Sequence, residues 1–255
     1  MSSIRNILAN LSQPKNVWVV LKKIAKRFEP DTRAEAILWA KKHAISVPEY
    51  CQSIDASLWE ETLKVVADID AHAQSILAPI KDDLGGGGAY PLLYFLVLHK
   101  KPDVVVETGV AAGWSSLTIL AALSKENNGE LFSSDFPYFR MANPEKYIGI
   151  LVPASLKNRW ILDVRGDDIA LPAIVARVAR IDLFHYDSDK SSSGRSSAIA
   201  KVQQKLSANA VIVMDDIQDN TYFKRFAESC GRDYTVLEFQ GKYVGLIDFS
   251  SIPIR

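Results

Sequence analysis

The sequence predicts an α/β fold built on a mostly parallel β-sheet. Three observations lead to this prediction: short β-branched runs alternate with helical stretches, a run of four glycines at residues 85–88 separates that pattern from a helical N-terminal third, and only a short turn separates the last two runs. Strands that alternate with helices indicate crossover connections, which join parallel strands. A chain of 255 residues that is 48% hydrophobic is long enough for one sizeable core.

Seven segments have the length and composition of strands, and helical segments lie between the first six. The predicted strands are Val104–Glu107, Leu131–Asp135, Trp160–Val164, Ile181–Asp187, Ala210–Asp215, Tyr234–Phe239 and Tyr243–Phe249. The turn Gln240–Lys242 is short enough for a hairpin, so the last strand is expected to run antiparallel.

The sequence divides into a helical extension, residues 1–84, and an α/β domain, residues 85–255. Segments Val17–Phe28 and Ala34–Ala44 have helical spacing, and Asp55 or Ser57 is placed to cap a further helix. The apolar face of that helix consists of Trp59, Leu63, Val66, Ile69, Ala73 and Ile76. The glycine run has two interpretations, a flexible linker or a loop that lets a ligand approach the backbone closely.

Charge and hydropathy limit the classes of partner. The chain has 30 basic and 30 acidic residues, and so lacks the overall basic character typical of nucleic-acid-binding proteins. A basic cluster, Lys22, Lys23, Lys26 and Arg27, is interpreted as a solvated helix face. The longest apolar run, Tyr90–Leu98, is too short for a membrane span, which needs about 20 residues. With only two cysteines and no signal segment evident, we expect a cytoplasmic protein without membrane insertion.

A glycine-containing turn follows the first predicted strand and leads into a helix, from Glu107 through Gly109 and Gly113 to Ser115. The two glycines permit a tight turn and let a ligand lie on the backbone. The spacing is not the GxGxxG of dinucleotide sites, which disfavours an NAD-dependent oxidoreductase. The second strand ends in Asp135, whose carboxylate can accept hydrogen bonds from two ribose hydroxyls. Together the turn and this acid predict a site for an adenosine-type nucleoside.

Polar residues also follow the later strands. Gly166 and Asp167 come after the third strand, where they suit contacts with an adenine edge or form a solvated turn. Asp187, Asp215 and Asp216 end the fourth and fifth strands, and clustered oxygen ligands favour a hard divalent cation such as Mg²⁺. Aspartates at strand ends also contact substrate or the following helix without any metal, so this alternative stays open.

The combination resembles the class I S-adenosylmethionine (SAM)-dependent methyltransferases over residues 85–249. Glu107-x-Gly109-x-x-x-Gly113 is similar to the first motif of that family, and Asp135 is similar to its ribose-binding acid. The resemblance implies a Rossmann-like seven-stranded sheet with an antiparallel last strand. It also implies SAM as the methyl donor, bound near Gly109 and Ser115, with Asp187 beside it.

The chemical end resembles two branches of the family. Asp187-x-x-Lys190 is similar to the pattern of the catechol-type O-methyltransferases, and the three aspartates are similar to those of macrolide and aminocoumarin sugar O-methyltransferases. The resemblance implies methyl transfer to a hydroxyl of a small-molecule acceptor, assisted by a cation on Asp187, Asp215 and Asp216. Lys190 is then a candidate base; His185 competes with it, although its strand position favours a core role.

Three other functions remain open from sequence: a metal-independent N- or O-methyltransferase, an NAD-dependent oxidoreductase and a non-catalytic binding module. The aromatic loop Phe136–Pro153 is expected to form a lid or an acceptor wall, and the N-terminal helices are expected to cover the site or pair two subunits of a homo-oligomer. Side chains expected to face the acceptor are Tyr138, Phe139, Met141, Tyr147, Gln218, Asn220, Tyr222 and Phe223.

Overall fold

The computed structural model describes residues 29–138, 141 and 143–250. Its α-helices are α1 Arg33–His43, α2 Val47–Leu77, α3 Tyr90–Lys100, α4 Trp114–Glu126, α5 Ala170–Arg177, α6 Ser192–Val202 and α7 Tyr222–Ser229. Its strands are β1 Ala44–Ser46, β2 Val104–Thr108, β3 Glu130–Ser134, β4 Trp160–Asp163, β5 Ile181–Tyr186, β6 Leu206–Met214, β7 Tyr234–Phe239 and β8 Lys242–Asp248. The predicted helix Val17–Phe28, the basic cluster at residues 22–27 and Phe139 lie outside the described residues.

The strands of the described chain form one sheet in the order β1-β7-β8-β6-β5-β2-β3-β4. Strand β8 is antiparallel to both β6 and β7, and the remaining pairs are parallel. The chain moves from β2 to β3 and β4 on one side and then returns to β5 on the other side of β2. This reversal opens a crevice at the carboxyl ends of β2 and β5, where ligands bind in open α/β sheets.

All seven predicted strands form, and the expected antiparallel direction of the last strand is confirmed. The largest shift is in β6, which begins at Leu206 instead of Ala210. The structure adds an eighth strand, β1, that pairs in parallel with β7. The sequence predicts a helix through Ala44, because β1 has only three residues and is too short to show the alternating pattern of a strand. Between β3 and β4 the described residues form 3-10 helices, Pro144–Lys146 and Ala154–Arg159.

Helix α2 has a kink at Asp55, whose φ of −155° is not helical. The Asp55 carboxylate accepts a hydrogen bond from the Leu58 amide at 2.9 Å and so caps the second half of the helix. This confirms Asp55 as the cap. The predicted apolar face is buried at Trp59, Val66, Ile69 and Ala73, but Leu63 is 48% exposed.

Apolar layers cover both faces of the sheet. Consecutive strand residues point to opposite faces, so Val105 packs with α2, α3 and α4 while Val106 packs with α5 and α6. The apolar run predicted at 90–98 is a buried core helix, α3. Among the described residues, no helix has the length and apolar character needed to cross a membrane.

Candidate functional site

The turn after β2 is held tightly by its surroundings. Gly109 and Gly113 have φ values of +83° and +100°, which L side chains rarely adopt. A Cβ on Gly109 would lie 2.5 Å from the Asp187 carbonyl oxygen, and one on Gly113 would lie 2.9 Å from the Gly149 Cα. Both positions therefore require glycine because another segment of the backbone lies close by, whether or not a ligand also lies on the turn.

Asp135 closes this turn from β3. Its Oδ2 accepts hydrogen bonds from the amides of Val110 at 3.1 Å and Ala111 at 2.7 Å, and its Oδ1 accepts one from the Phe136 amide at 2.6 Å. Burial raises the pKa of Asp135 to about 6, although these amide hydrogen bonds oppose the increase. The turn and the acid are thus brought together, as the sequence predicted.

A cleft lies against this turn at the carboxyl ends of β2, β3 and β5. Its lining residues are Gly86, Gly109, Val110, Ala111, Trp114, Ser115, Asp135, Tyr138, Asp187 and Ser188. Four predicted cofactor residues are in this lining, Gly109, Ser115, Asp135 and Asp187. The presence of Gly86 favours the interpretation of the glycine run as a loop beside a ligand site. The sequence pattern does not indicate Val110, Ala111 and Ser188 as site residues, although each is next to a motif residue in the chain.

The other predicted cofactor residues lie behind this lining. Glu107 is fully buried, and its Oε2 accepts hydrogen bonds from Ser116 at 2.5 Å and Ser133 at 2.8 Å. Its Oε1 lies 3.4 Å from Nδ1 of His185, which is 2% exposed. Burial disfavours the charged form of both groups, but their mutual attraction outweighs burial. The pKa of Glu107 therefore lies below its usual value, and the pKa of His185 lies above its usual value. The position of His185 agrees with the core role that the sequence favoured.

Gly166 and Asp167 brace the strand ends. The Gly166 amide donates to the Asp135 carbonyl at 2.9 Å. The Asp167 carboxylate accepts hydrogen bonds from Ser134 at 2.6 Å and from Ser188. The structure therefore directs Asp167 toward two serine hydroxyls of neighbouring strand ends.

An acidic cluster adjoins the cleft where β5 and β6 end. Asp187 and Asp215 share it with His185, and potential ligand atoms of the three residues lie within 4.8 Å of one another. Asp215 is 4% exposed. Burial, reinforced by the charge of Asp187, raises the pKa of Asp215 to about 7. Two carboxylates and an imidazole nitrogen at this separation suit a small divalent cation.

Asp216 lies apart from this cluster, which differs from the predicted ligand set Asp187, Asp215 and Asp216. One Asp216 carboxylate oxygen is 3.2 Å from Lys190 Nζ, and the other is 3.3 Å from Lys242 Nζ. Lys190 Nζ also donates to Asp187. Burial would lower the pKa of Lys190, but Asp187, Asp215 and Asp216 raise it overall. The carboxylates around Lys190 therefore favour its protonated form, and its role as the base stays a prediction.

Several residues expected at the acceptor brace the site instead. Gln218 donates to Asp216 and accepts a hydrogen bond from the Tyr243 amide, while Asn220 donates to the Lys190 carbonyl at 2.7 Å. Phe223 is fully buried in the core. Their positions near Asp216 in the sequence did not reveal these roles, because the partners come from distant segments.

The fold is a Rossmann-like α/β domain with a cleft at the carboxyl ends of β2, β3 and β5. Residues 106–217 match a family model described as a methyltransferase domain. This match agrees with the resemblance to the class I SAM-dependent methyltransferases, and it assigns residues 106–217 to a methyltransferase domain. The chain matches no curated protein sequence.

Solved structures have the same fold. The O-methyltransferase TomG from Streptomyces achromogenes, involved in tomaymycin synthesis and solved with SAM, has a TM-score of 0.54 and 15% identity, covering 71% of this chain and 88% of that one. The O-methyltransferase from Bacillus cereus, solved with SAH, has a TM-score of 0.53 and 16% identity, covering 82% of this chain and 99% of that one. At these identities the likeness is one of fold.

Proposed function

We propose that this chain transfers the methyl group of SAM to a hydroxyl of a small-molecule acceptor, with assistance from a divalent cation. The observation that carries the proposal is the juxtaposition of the cleft and the acidic cluster: Asp187 belongs to both. A methyl donor in the cleft would therefore lie next to the groups that can orient an acceptor oxygen. The TomG and Bacillus cereus structures, solved with SAM and SAH, support the choice of cofactor.

The residues of the cleft supply positioning. Asp135 presents a carboxylate toward the turn at 109–113, where ribose hydroxyls would donate to it. Trp114 and Tyr138 provide aromatic walls. The methyl of SAM is already activated by the sulfonium, so the protein needs mainly to hold donor and acceptor in line and to favour a deprotonated acceptor.

The acidic cluster fits a cation. Asp187, Asp215 and His185 would hold it. The pKa of Asp215 is raised first by burial and then by the charge of Asp187, and a divalent charge would relieve the repulsion between the two carboxylates. A bound cation supplies Lewis acidity, which lowers the pKa of a ligated hydroxyl. Lys190 neutralises Asp187 and Asp216 in the structure, and its ammonium stabilises negative charge on the acceptor oxygen.

One observation favours a second candidate, metal-independent methyl transfer. The Lys190 ammonium contacts Asp187 and lies 3.2 Å from an Asp216 oxygen. A positive charge is therefore already present beside these carboxylates without a metal ion. In that case the lysine alone offsets the acidic charge, and a chelator leaves the reaction unchanged.

Calorimetry on the full chain tests the proposal. We expect SAM and SAH to bind with micromolar affinity and NADH to give no heat. Mg²⁺ should bind to the wild type in the presence of SAH, and Asp215→Asn should weaken Mg²⁺ binding at least tenfold while SAH affinity changes less than threefold.

The outcomes separate the candidates. Absence of heat from both SAM and SAH would overturn the cofactor assignment and with it the proposed function. Binding of SAH without binding of Mg²⁺ would favour the metal-independent candidate, which a Lys190→Met variant then tests through loss of methyl transfer to a panel of phenols and sugars.

A further inference from the structure

Arg195 is a fully buried cation beneath the acidic cluster. The side chain, on α6, has 0% exposure and is among the largest fully buried side chains of the described residues. Its Nη2 donates hydrogen bonds to the main-chain carbonyls of Asp215 at 3.1 Å and Asp216 at 2.8 Å. Burying a guanidinium is costly, and here the hydrogen bonds go to carbonyls instead of carboxylates. Packing alone would be achieved more cheaply by an apolar side chain.

The two carbonyls belong to the bend that follows β6. Asp216 has a φ of +51°, in the left-handed region that non-glycine residues rarely adopt. The bend sends Asp215 toward His185 and Asp187, and it sends Asp216 toward Lys190. Because Nη2 of Arg195 donates to two successive carbonyls, it fixes the main chain on both sides of the Asp216 Cα.

The rest of the guanidinium is not used for other pairing. Nε and Nη1 are buried and have no hydrogen-bond partner among the described residues. The positive charge therefore acts on its surroundings, which include Tyr186, Asp219, Asp216 and Asp215. The hydrogen bonds of Arg195 thus go to the bend alone, and its charge lies close to the bend and to Tyr186 and Asp219.

We propose that Arg195 is a positioning residue that holds the 215–216 bend and thereby sets the place of the two carboxylates at the chemical end of the site. The inference deepens the proposed function, on which it rests. It assigns no direct contact between Arg195 and substrate. The long side chain of Arg195 brings one nitrogen with two N–H donors, Nη2, between two adjacent carbonyls.

Three variants of the full chain test this role: Arg195→Met, Arg195→Lys and a control, Ile199→Ala. Ile199 lies one turn further along α6 and is 5% exposed, so its truncation loosens the same helix without touching the bend. Hydrogen exchange is measured on peptides covering residues 210–221 and 104–115. For Arg195→Met we expect at least tenfold faster exchange in the first peptide and unchanged exchange in the second, with Arg195→Lys between it and the wild type.

A second readout separates positioning from general destabilisation. With SAH saturating, the Kd of Mn²⁺ is measured from the paramagnetic signal of the free ion. We expect Arg195→Met to raise the Kd of Mn²⁺ at least tenfold while the Kd of SAH stays within threefold of wild type. The Ile199→Ala control should leave both constants within threefold.

The inference is overturned if exchange at 210–221 rises no more in Arg195→Met than in Ile199→Ala, or if all peptides speed up together. Should Arg195→Met not fold, Arg195→Lys keeps the comparison decisive, because it retains the charge but its side chain ends one atom short of the position of Nη2. Failure of the wild type to bind SAH would overturn the proposed function. The hydrogen-exchange comparison does not depend on SAH, and it would still show whether Arg195 holds the 215–216 bend.

Discussion

Asp135 has two tasks whose requirements conflict. Its carboxylate must be buried to close the turn at 109–113, and it must stay ionised to accept hydrogen bonds from ribose. Burial raises its pKa to about 6, and the amides of Val110, Ala111 and Phe136 limit that increase. The backbone of the turn thus helps to keep the proposed ribose acceptor charged near neutral pH.

This balance predicts a pH dependence for SAH binding. The folded-state pKa lies above the ordinary value, so Asp135 is ionised at pH 7 and takes up a proton as the pH falls through about 6. The protonated acid loses acceptor capacity. We expect a constant SAH affinity above about pH 7 and a decline approaching tenfold per pH unit well below pH 6, if only the ionised form binds.

Calorimetry between pH 5 and pH 8 measures this dependence, with Asp135→Asn as the matched variant. The amide retains the shape but does not titrate in this range, so its weaker SAH affinity should be nearly independent of pH. A decline of equal slope in Asp135→Asn would assign the titration to another group.

Lys190 shows how three-dimensional context changes the meaning of a motif residue. In sequence, its place three residues after Asp187 suggested a base. In the structure, burial opposes the charge of Lys190, but the nearby carboxylates outweigh burial and raise its pKa. The spacing predicted the neighbourhood of Asp187 and Lys190 correctly, but the charge state depends on Asp215 and Asp216, which come from another strand.

At the scale of elements, the glycine run forms a strap between α2 and α3 that borders the cleft. Tyr138 anchors its start by donating to the Leu84 carbonyl at 2.8 Å. At its end, Gly88 has a φ of +57°, and a Cβ there would lie 2.1 Å from Asp215 Oδ2. The strap therefore needs glycine both for its backbone conformation and for its approach to the acidic cluster.

Gly88→Ala is predicted to displace the strap. The methyl collides with the Asp215 carboxylate, so the strap must move away from the cleft wall that it forms through Gly86. We expect SAH affinity to fall at least tenfold, a loss of about 1.4 kcal/mol, because the displaced strap no longer lines the cleft. Calorimetry with SAH measures the loss.

Gly231→Ala is the control for backbone strain. Gly231 has a similar φ of +63°, but a Cβ there meets nothing within 4 Å. The control should lose stability to a similar degree and keep its SAH affinity within twofold. Equal losses of SAH affinity in the two variants would show that strain, and not the contact with Asp215, is responsible.

Local pattern predicted the elements better than it predicted their partners. Each strand from β2 to β8 has enough β-branched, aromatic or leucine residues to be found by composition, whereas β1 is stabilised by pairing with β7 and has no pattern of its own. The turn at Gly109 and the acids at strand ends were found because parallel strands bring their carboxyl ends together. Arg195 contacts the bend after β6 from a different segment, α6, so no spacing could indicate it.

At the scale of the whole molecule, the N-terminal helices and the α/β domain share one core. Helix α2 contributes Trp59, Ile69 and Ala73 to the same apolar layer as α3 and the sheet. Trp59 packs edge-on against Phe95, with ring centroids 6.3 Å apart. The boundary drawn from sequence at residue 84 therefore divides segments that bury each other's apolar surface.

This shared core predicts that the chain unfolds as one unit. Trp59→Ala should lower the free energy of unfolding by about 3–5 kcal/mol, the usual cost of truncating a buried aromatic side chain. The loss should move a single transition, because unfolding α2 exposes the apolar face of α3 and the sheet. Urea denaturation followed by far-UV circular dichroism and by tryptophan fluorescence measures the midpoint and tests whether the two probes coincide.

Leu63→Ala provides the matched control on the same helix. Leu63 is 48% exposed, so its truncation should cost about 1 kcal/mol or less. If the extension were an independent unit, Trp59→Ala would instead split the denaturation into two steps and leave the second at the wild-type midpoint. The expected result is that both probes report one transition, with a large shift of its midpoint for Trp59→Ala and a small shift for Leu63→Ala. This result would mean that the N-terminal helices stabilise the sheet whose strand ends form the proposed methyl-transfer site.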